Sequence, residues 1–224
     1  MSHEHEHDLP FWKKYIFSTD HKWIGIQYTV TSLAFLLLGF SLMAMMRWQL
    51  AQTDFKVVKF LGIEMNPDRY NEFGAMHGAI MVFLGVVPLA VGGFGNYVLP
   101  LQIGAKDMAF PKLNMASYWV FFCGGVTMLL SFFLPQGGAA QSGWTSYPPL
   151  SVTIAGGGQT YWLMGMLLLI FSSLLGAVNF IVTAVQLRAP GLSWFRLPFF
   201  VWAQLVTSFL LLLAFPPLQA AGIM

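Results

Sequence analysis

The chain has 224 residues, of which 57% are hydrophobic and only 9% are charged, and its formal net charge at pH 7 is +2. This composition excludes an ordinary soluble domain and is typical of membrane proteins with several spans. The small net charge gives no reason to expect a nucleic-acid partner, and a lone cysteine, Cys123, excludes an internal disulfide or a cysteine-based metal cluster within this chain.

The first 22 residues are predicted to form a polar tail and then an interfacial segment. In the opening letters MSHEHEHDLP, His3, His5 and His7 alternate with acidic residues. These histidines could bind a metal weakly, but the composition favours a flexible tail. The aromatic and basic stretch that follows is typical of a segment lying at a membrane interface. A polar start without a cleavage site argues against a secretory signal.

Five apolar segments follow and predict an all-α integral membrane protein, a bundle of five transmembrane helices. Each segment has at least ~18 mainly apolar residues, enough to cross a bilayer core. The last letters, LQAAGIM, have no polar flank, so we expect the sequence to be a piece of a longer chain. The membrane domain is predicted over residues 23–224, with spans near 23–48, 76–101, 118–135, 161–187 and 198–224.

The basic residues predict the orientation of these spans. Loops that carry more lysine and arginine stay on the cytoplasmic side. With the N-terminus inside, seven basic residues fall in inner segments and four in outer ones. We therefore expect a cytoplasmic N-terminus, and the long polar tail favours a bacterial inner membrane. The outer four are Arg47, Lys56, Lys59 and Arg69.

The second span contains one histidine, His77, near its start. An ionisable residue inside a span is costly and marks a candidate functional site. Gly78, Gly85 and Gly92 follow at intervals of seven and predict a smooth stripe that another surface can approach closely. Haem ligation by His77 is one hypothesis. A histidine that hydrogen-bonds to a neighbouring helix is the other.

Polar residues are predicted at two depths of the membrane. Arg47 lies at the same outer depth as His77, where its guanidinium can hydrogen-bond a polar edge group of a ligand or extend to the headgroups. On the inner side, a rise of 1.5 Å per residue places Tyr28 ~9 Å and Asn179 ~12 Å from the surface, with Ser172 and Ser173 at roughly 20 Å. Near the inner surface lie Asn96, Asp107 and Asn114.

This inner set has two interpretations. A graded polar series can hold a file of waters that conducts protons, with Asp107 as the entry group. Serine and asparagine side chains can equally join neighbouring helices through hydrogen bonds.

Six strings, in order along the chain, resemble subunit I of the haem–copper terminal oxidases. Together they cover nearly everything after the tail. The resemblance implies the N-terminal part of that subunit, about five of its twelve transmembrane helices. The strings are TDHKWIGIQY at 19–28, MHGAIMVF at 76–83, GGFGNYVLPLQIGAKDMAFPKLNMASYW at 92–119, GWTSYPPLS at 143–151, SSLLGAVNFIVT at 172–183 and LPFFVWAQLVT at 197–207.

The resemblance implies roles for individual residues. His77 matches an axial ligand of the low-spin haem, and Arg47 matches an arginine that contacts the formyl group of a haem A. Tyr70 and Trp144 match residues near the haem propionates. Asp107 matches the entry carboxylate of the D proton pathway, which the related nitric oxide reductases lack. The water-holding side chains of that pathway match Asn96, Asn114, Tyr28, Ser172, Ser173 and Asn179.

The resemblance also implies an activity and partners. Cytochrome c would supply electrons through a copper centre on subunit II, in a complex that includes subunit III, and oxygen would be reduced to water with proton pumping. In the quinol-oxidising branch, the positions of Leu38, Leu42 and Arg69 carry Arg, Asp and His, so these residues favour cytochrome c as donor. A quinol oxidase and a non-catalytic haem-binding or assembly scaffold are the alternatives.

The histidine count limits what this stretch can build. Only His77 lies within a predicted span, and His21 is at an inner edge. A second axial histidine must come from elsewhere. The high-spin haem and the copper site are likewise expected only with the remainder of subunit I.

Overall fold

The computed structural model describes residues 10–52, 59–60, 63–134, 138–152 and 156–224. Five helices in this part are long and apolar enough to cross a membrane, which confirms the predicted all-helical fold. The tail histidines His3, His5 and His7 lie outside the described residues. The five helices are α1 His21–Leu50, α2 Pro67–Ile103, α3 Pro111–Phe133, α4 Gly157–Gln186 and α5 Phe199–Ile223.

Short elements connect the long helices. A π-helical turn, Trp12–Ile16, precedes α1, and Gln27 of α1 holds its end by donating to the carbonyl oxygens of Tyr15 and Ile16 at 2.7 and 2.8 Å. Between α1 and α2, strands β1 (Lys59–Phe60) and β2 (Ile63–Glu64) form one antiparallel pair. A 3₁₀ turn, Trp194–Arg196, precedes α5.

Two helices begin well before the apolar runs that predicted them. The second begins at Pro67 rather than near Met76, because the Asn66 side chain accepts a hydrogen bond from the Arg69 backbone N–H at 2.8 Å and caps the helix. Proline is favoured at the first helical position, where its missing N–H costs nothing. The third helix also begins at a proline, Pro111, rather than near Tyr118. The polar first turns of both helices fall outside the hydropathy signal.

Helix α2 is not a uniform α-helix. Its ends, Pro67–Ala79 and Asn96–Ile103, are α-helical, whereas Ile80–Val86 and Pro88–Gly95 are π-helical. A π-helical stretch leaves some carbonyl oxygens without their usual helical donor. Gln204 of α5 donates from its Nε2 to one of them, the carbonyl of Ala90, at 3.1 Å.

The chain divides into two compact units, and α1 to α4 each contribute residues to both, whereas α5 belongs to the first alone. The first unit contains the described residues up to Val30, together with Leu89–Phe121 and Ile170–Met224. Its core joins the end of α2, the link to α3, the end of α4 and the start of α5. The buried core residues are Leu99, Ile103, Met108, Phe180, Ala184, Leu197, Val201 and Leu205.

The second unit contains Thr31–Pro88 and Phe122–Leu169. Within it, α3 and α4 approach closely at a pair of glycines. A Cβ on Gly124 would lie 3.1 Å from the Gly165 carbonyl oxygen, and a Cβ on Gly165 would lie 2.9 Å from that of Gly124. Small residues at a crossing let two membrane helices pack backbone to backbone. This unit contains His77 and the loop that follows α3.

Candidate functional site

His77 is held on α2 with one ring nitrogen occupied and the other available. Its Nδ1 donates to the backbone carbonyl oxygen of Gly39 on α1 at 2.8 Å. Because a carbonyl can only accept, Nδ1 carries a proton, and in the neutral imidazole the lone pair is then on Nε2. In the part of the chain that the structure describes, Nε2 has no hydrogen-bond partner. Metal-ligating histidines commonly donate their other ring N–H to a backbone carbonyl, so this arrangement fits a ligand, and the same bond fits a histidine that joins α2 to a neighbouring helix.

The residue next to His77 on α2 lies in open space. A Cβ on the neighbouring Gly78 would find no atom within 4 Å. The predicted glycine stripe is otherwise a helix contact, because Gly85 packs against the Leu36 side chain and Gly92 against the Tyr28 ring. Side chains of α1 thus approach the stripe closely at two of its three glycines, as its pattern predicted, and Gly78 is the position left open.

The other predicted haem contacts belong to the same unit as His77. Arg47 is exposed, Tyr70 is half-buried, and the Trp144 ring is 61% exposed, with its centroid 6.2 Å from that of Phe83. Among the described residues, no hydrogen bond joins any two of Arg47, Tyr70, His77 and Trp144. Their roles toward a haem stay predictions.

A cavity of about 610 Å³ brings together the three positions that bear on the electron donor. Leu38 and Leu42 of α1 and Arg69 of α2 all line it. Seven of its ten lining residues are apolar, and the three polar ones lie within six positions of one another, between the end of β2 and the first turn of α2. The remaining lining residues are Met45, Glu64, Asn66, Phe73, Leu129, Phe132 and Phe133.

Arg69 is the cation of this cavity, and it is already paired. Its Nη1 donates to Glu72 Oε2 at 3.2 Å and to the Phe132 carbonyl oxygen at 3.4 Å. The Glu72 side chain is only 4% exposed, whereas that of Arg69 is 34% exposed. The guanidinium therefore neutralises a buried carboxylate.

In the first unit, a hydrogen-bonded cluster joins three of the predicted proton-pathway residues. The Tyr28 hydroxyl lies 3.2 Å from Ser117 Oγ and 3.5 Å from Ser172 Oγ. Ser172 Oγ donates to the Ser117 carbonyl at 2.6 Å, and Ser117 Oγ donates to the Asn114 carbonyl at 2.7 Å. Ser117 was missed from the sequence, although it lies three residues after Asn114 and so shares its helix face.

Two buried asparagines have amide atoms without partners. Asn114 is 1% exposed, and neither its Oδ1 nor its Nδ2 has a hydrogen-bond partner among the described residues. Asn96 is 2% exposed; its Nδ2 donates to the Gly92 carbonyl at 2.7 Å, but its Oδ1 is unpaired in the same sense. Buried polar atoms of this kind are usually satisfied by internal water. Both side chains therefore fit a water-holding role.

Asn179 has a different environment, because its amide is used by backbone. Its Oδ1 accepts the Phe110 N–H at 2.9 Å, and Thr183 Oγ1, one turn along α4, accepts the Ala109 N–H at 2.9 Å. These two side chains hold the link between α2 and α3. Thr183 was not singled out from the sequence. Ser173, next to Ser172, is half-buried.

Asp107 lies half-buried in the same link, outside the spans. Its Oδ1 accepts the Met108 N–H at 2.7 Å, and the His21 backbone N–H donates to the carboxylate as well. Burial raises the pKa of this carboxyl above its ordinary value, and the bonds from Met108 and His21 only partly oppose the effect. The buried His21 ring donates from Nδ1 to the Asn96 carbonyl at 2.9 Å, so it connects Asp107 to α2.

Comparison with known proteins shows the family of the chain. The family model described as "Cytochrome C and Quinol oxidase polypeptide I" matches residues 23–224. Cytochrome c oxidase subunit 1 of Thermostichus vulcanus is 46% identical over 221 residues, which are 99% of this chain and 38% of that protein. The Synechocystis subunit 1 is 43% identical over 95% of this chain and 37% of its own length.

A relative with a different subunit organisation is similar to the chain to nearly the same degree. Haem–copper oxidase subunit I+III of Aeropyrum pernix is 43% identical over 93% of this chain and 25% of its own length. The chain thus spans between 25% and 38% of the length of these relatives. Five apolar helices and this family make the protein an integral membrane protein. The chain belongs to the subunit I family of cytochrome c and quinol oxidases.

Proposed function

We propose that this chain holds the low-spin haem and the proton entry of a terminal oxidase that reduces oxygen to water and pumps protons. The observation that carries the proposal is His77, whose Nδ1–H is fixed by the Gly39 carbonyl while Nε2 stays available. Haem bound there would accept and pass on single electrons. The hydrogen bond to Gly39 holds the ring plane and makes Nε2 a better donor to iron.

The remaining haem contacts are assigned by family resemblance. Arg47 would contact a formyl group, which would make the group a haem A, and Tyr70 and Trp144 would lie near its propionates. A second histidine ligand, the high-spin haem and the copper would come from the remainder of subunit I. Subunit II, with its copper centre, and subunit III complete the complex. The site lies in a bacterial inner membrane with the N-terminus in the cytoplasm.

For protons, we infer that Asp107 is the entry group. Its raised pKa makes it a better proton acceptor than an exposed aspartate. The unpaired amides of Asn96 and Asn114 are suited to hold waters beyond it, and the Tyr28 and Ser172 hydroxyls provide the next donors and acceptors. We assign Ser173 and Asn179 to the same proton pathway. Asn179 would act chiefly by holding the backbone of Phe110 in the link between α2 and α3.

Cytochrome c is the favoured electron donor. The cavity at Leu38, Leu42 and Arg69 is large enough to raise the quinol alternative, but a quinol headgroup needs polar partners at its oxygens. Two of the three positions here are leucines, and Arg69 is already paired with Glu72. Oxygen uptake by the complex should therefore start with reduced cytochrome c and not with a soluble quinol. Uptake with the quinol alone would replace this donor assignment by the alternative.

The proton assignment is tested with Asp107→Asn in the whole oxidase. We expect slower turnover and loss of coupled proton uptake. Asp68→Asn is the control, since it removes an exposed carboxylate in the first turn of α2 that is not among the groups shifting the pKa of Asp107. Equal turnover and uptake in both variants would contradict the entry role. A complex that contains haem but takes up no oxygen with either donor would indicate the non-catalytic scaffold instead.

A further inference from the structure

The loop after α3, described over residues 138–152, is tethered by one amide side chain of α4. Gln159 is 7% exposed, and its Nε2 donates to Ser146 Oγ at 2.7 Å. Its Oε1 accepts from Ser142 Oγ at 2.8 Å. The two serine hydroxyls lie 3.4 Å apart. A single buried side chain thus holds two loop residues that flank Trp144 on either side.

The start of this loop is held independently. The Glu72 carboxylate accepts the Ala139 backbone N–H and lies against Gly138. The Gly138 carbonyl in turn packs on Gly158, the residue before Gln159, with no room for a Cβ there. These contacts anchor the start of the loop. They do not hold the residues around Trp144.

The conformation around Trp144 needs such a tether. Ser146 has a φ of 52°, and Gly143 has a φ of 69°. The left-handed region is unfavourable for a residue other than glycine, so Ser146 requires compensating contacts. The hydrogen bond from Gln159 Nε2 to the Ser146 hydroxyl is one such contact. The Trp144 ring is 61% exposed, so packing within the described residues does not by itself fix its direction.

We propose that Gln159 is a positioning residue for Trp144, acting through Ser142 and Ser146. The inference rests on the proposed function, in which Trp144 lies near the haem propionates. The indole N–H can donate to a carboxylate only if the backbone presents it at the right place. Gln159 touches neither haem nor substrate and acts by holding the backbone on both sides of Trp144.

The test uses three variants of the intact oxidase. Gln159→Leu removes both hydrogen bonds. Gln159→Glu keeps them, because each serine hydroxyl can donate to a carboxylate oxygen. Gln186→Leu makes the same chemical change on an exposed residue at the end of α4. If Gln159→Leu fails to assemble, Ser142→Ala is used in its place, because it removes one of the two hydrogen bonds to Gln159.

The first readout is hydrogen exchange of loop amides over residues 138–152, which does not depend on haem. We expect faster exchange in Gln159→Leu, with exchange close to wild type in Gln159→Glu and Gln186→Leu. The second readout is the midpoint potential of the low-spin haem in a double-mutant cycle with Trp144→Phe. We expect Gln159→Leu to shift the potential in the same direction as Trp144→Phe, and the double variant to shift no further.

The outcomes separate the two claims. Unchanged loop exchange in Gln159→Leu would overturn the positioning role, whatever the haem does. A potential shift that adds to that of Trp144→Phe would also overturn it, since Gln159 would then act by another route. If Trp144→Phe leaves the potential unchanged, the placement of Trp144 beside the haem fails, and this part of the proposed function fails with it.

Discussion

Replacing Gly158 with alanine perturbs a close backbone contact at the base of the loop that carries Trp144. A Cβ on Gly158 would overlap the Gly138 carbonyl oxygen and lie 2.8 Å from the Ala139 carbonyl carbon and 2.9 Å from its Cα. Carbon atoms at optimal separation are ~3.5–4.0 Å apart. All three neighbours are backbone atoms, so no side chain can turn away to make room.

The expected cost follows from this geometry. Overpacking a well-packed site costs about 1–3 kcal/mol. Alanine recovers at most ~1 kcal/mol in helix propensity. Because only backbone atoms oppose the new Cβ, we take the upper part of that range, about 2–3 kcal/mol. Less the ~1 kcal/mol gain, the net effect on the local opening free energy is about 1–2 kcal/mol, or roughly 5- to 30-fold in a population. The neighbouring Gly157 is the matched control, because its Cβ would lie 3.6 Å from the Leu134 side chain, an ordinary contact.

Hydrogen exchange of residues 138–152 in the intact complex measures the difference. We expect Gly158→Ala to exchange about 5- to 30-fold faster than wild type, in line with the opening free energy above. Gly157→Ala should exchange at the wild-type rate. If both variants exchange alike, the backbone contact between Gly158 and Gly138 does not hold the loop, and the packing argument is refuted.

Three further predictions concern ionisable and hydroxyl groups. The pKa of Asp107 is raised, so the folded state holds its proton more tightly than the unfolded state does. The resulting contribution to stability is present at low pH and is lost as the pH rises through the raised pKa. Asp107→Asn should remove this pH dependence from unfolding curves. Tyr28→Phe removes only two long contacts of 3.2 and 3.5 Å, so it should slow proton uptake less than Asp107→Asn in flow measurements. Glu72→Ala leaves Arg69 without its carboxylate and should destabilise the protein by about 1–3 kcal/mol. This value is below that of a fully buried pair because the guanidinium is partly exposed to solvent. Asp68→Ala, which removes an exposed carboxylate, should change thermal unfolding little.

Hydropathy predicted the five helices because burial in lipid requires long apolar runs. It missed the first turns of α2 and α3, where polar residues extend each helix beyond its apolar run. The signal for α2 was present in another form, since Asn66 followed by Pro67 is a helix-start pattern. The π-helical stretches of α2 had no such signal, because they depend on how neighbouring helices use the freed carbonyls, as Gln204 does at Ala90.

The sequence predicted which residues carry the candidate site, and their roles stay predictions, but it did not predict their contacts. His77 was expected from the cost of an ionisable group within a span, yet its bond to Gly39 joins residues far apart in sequence. The same holds for Ser117 and Thr183, whose roles depend on which helix faces them. Gln159 lies at the start of α4 and has no charge or motif to mark it. Only the fold brings it to Ser142 and Ser146.

The central claim is that His77 binds the low-spin haem, and a reduced-minus-oxidised spectrum of the intact complex tests it most directly. We expect His77→Ala to lose the low-spin haem band. His21→Gln replaces the other described histidine, which is buried and bonded to Asn96, and should keep that band. Retention of the band in His77→Ala would contradict the ligand assignment and, with it, the proposed place of this chain in electron transfer.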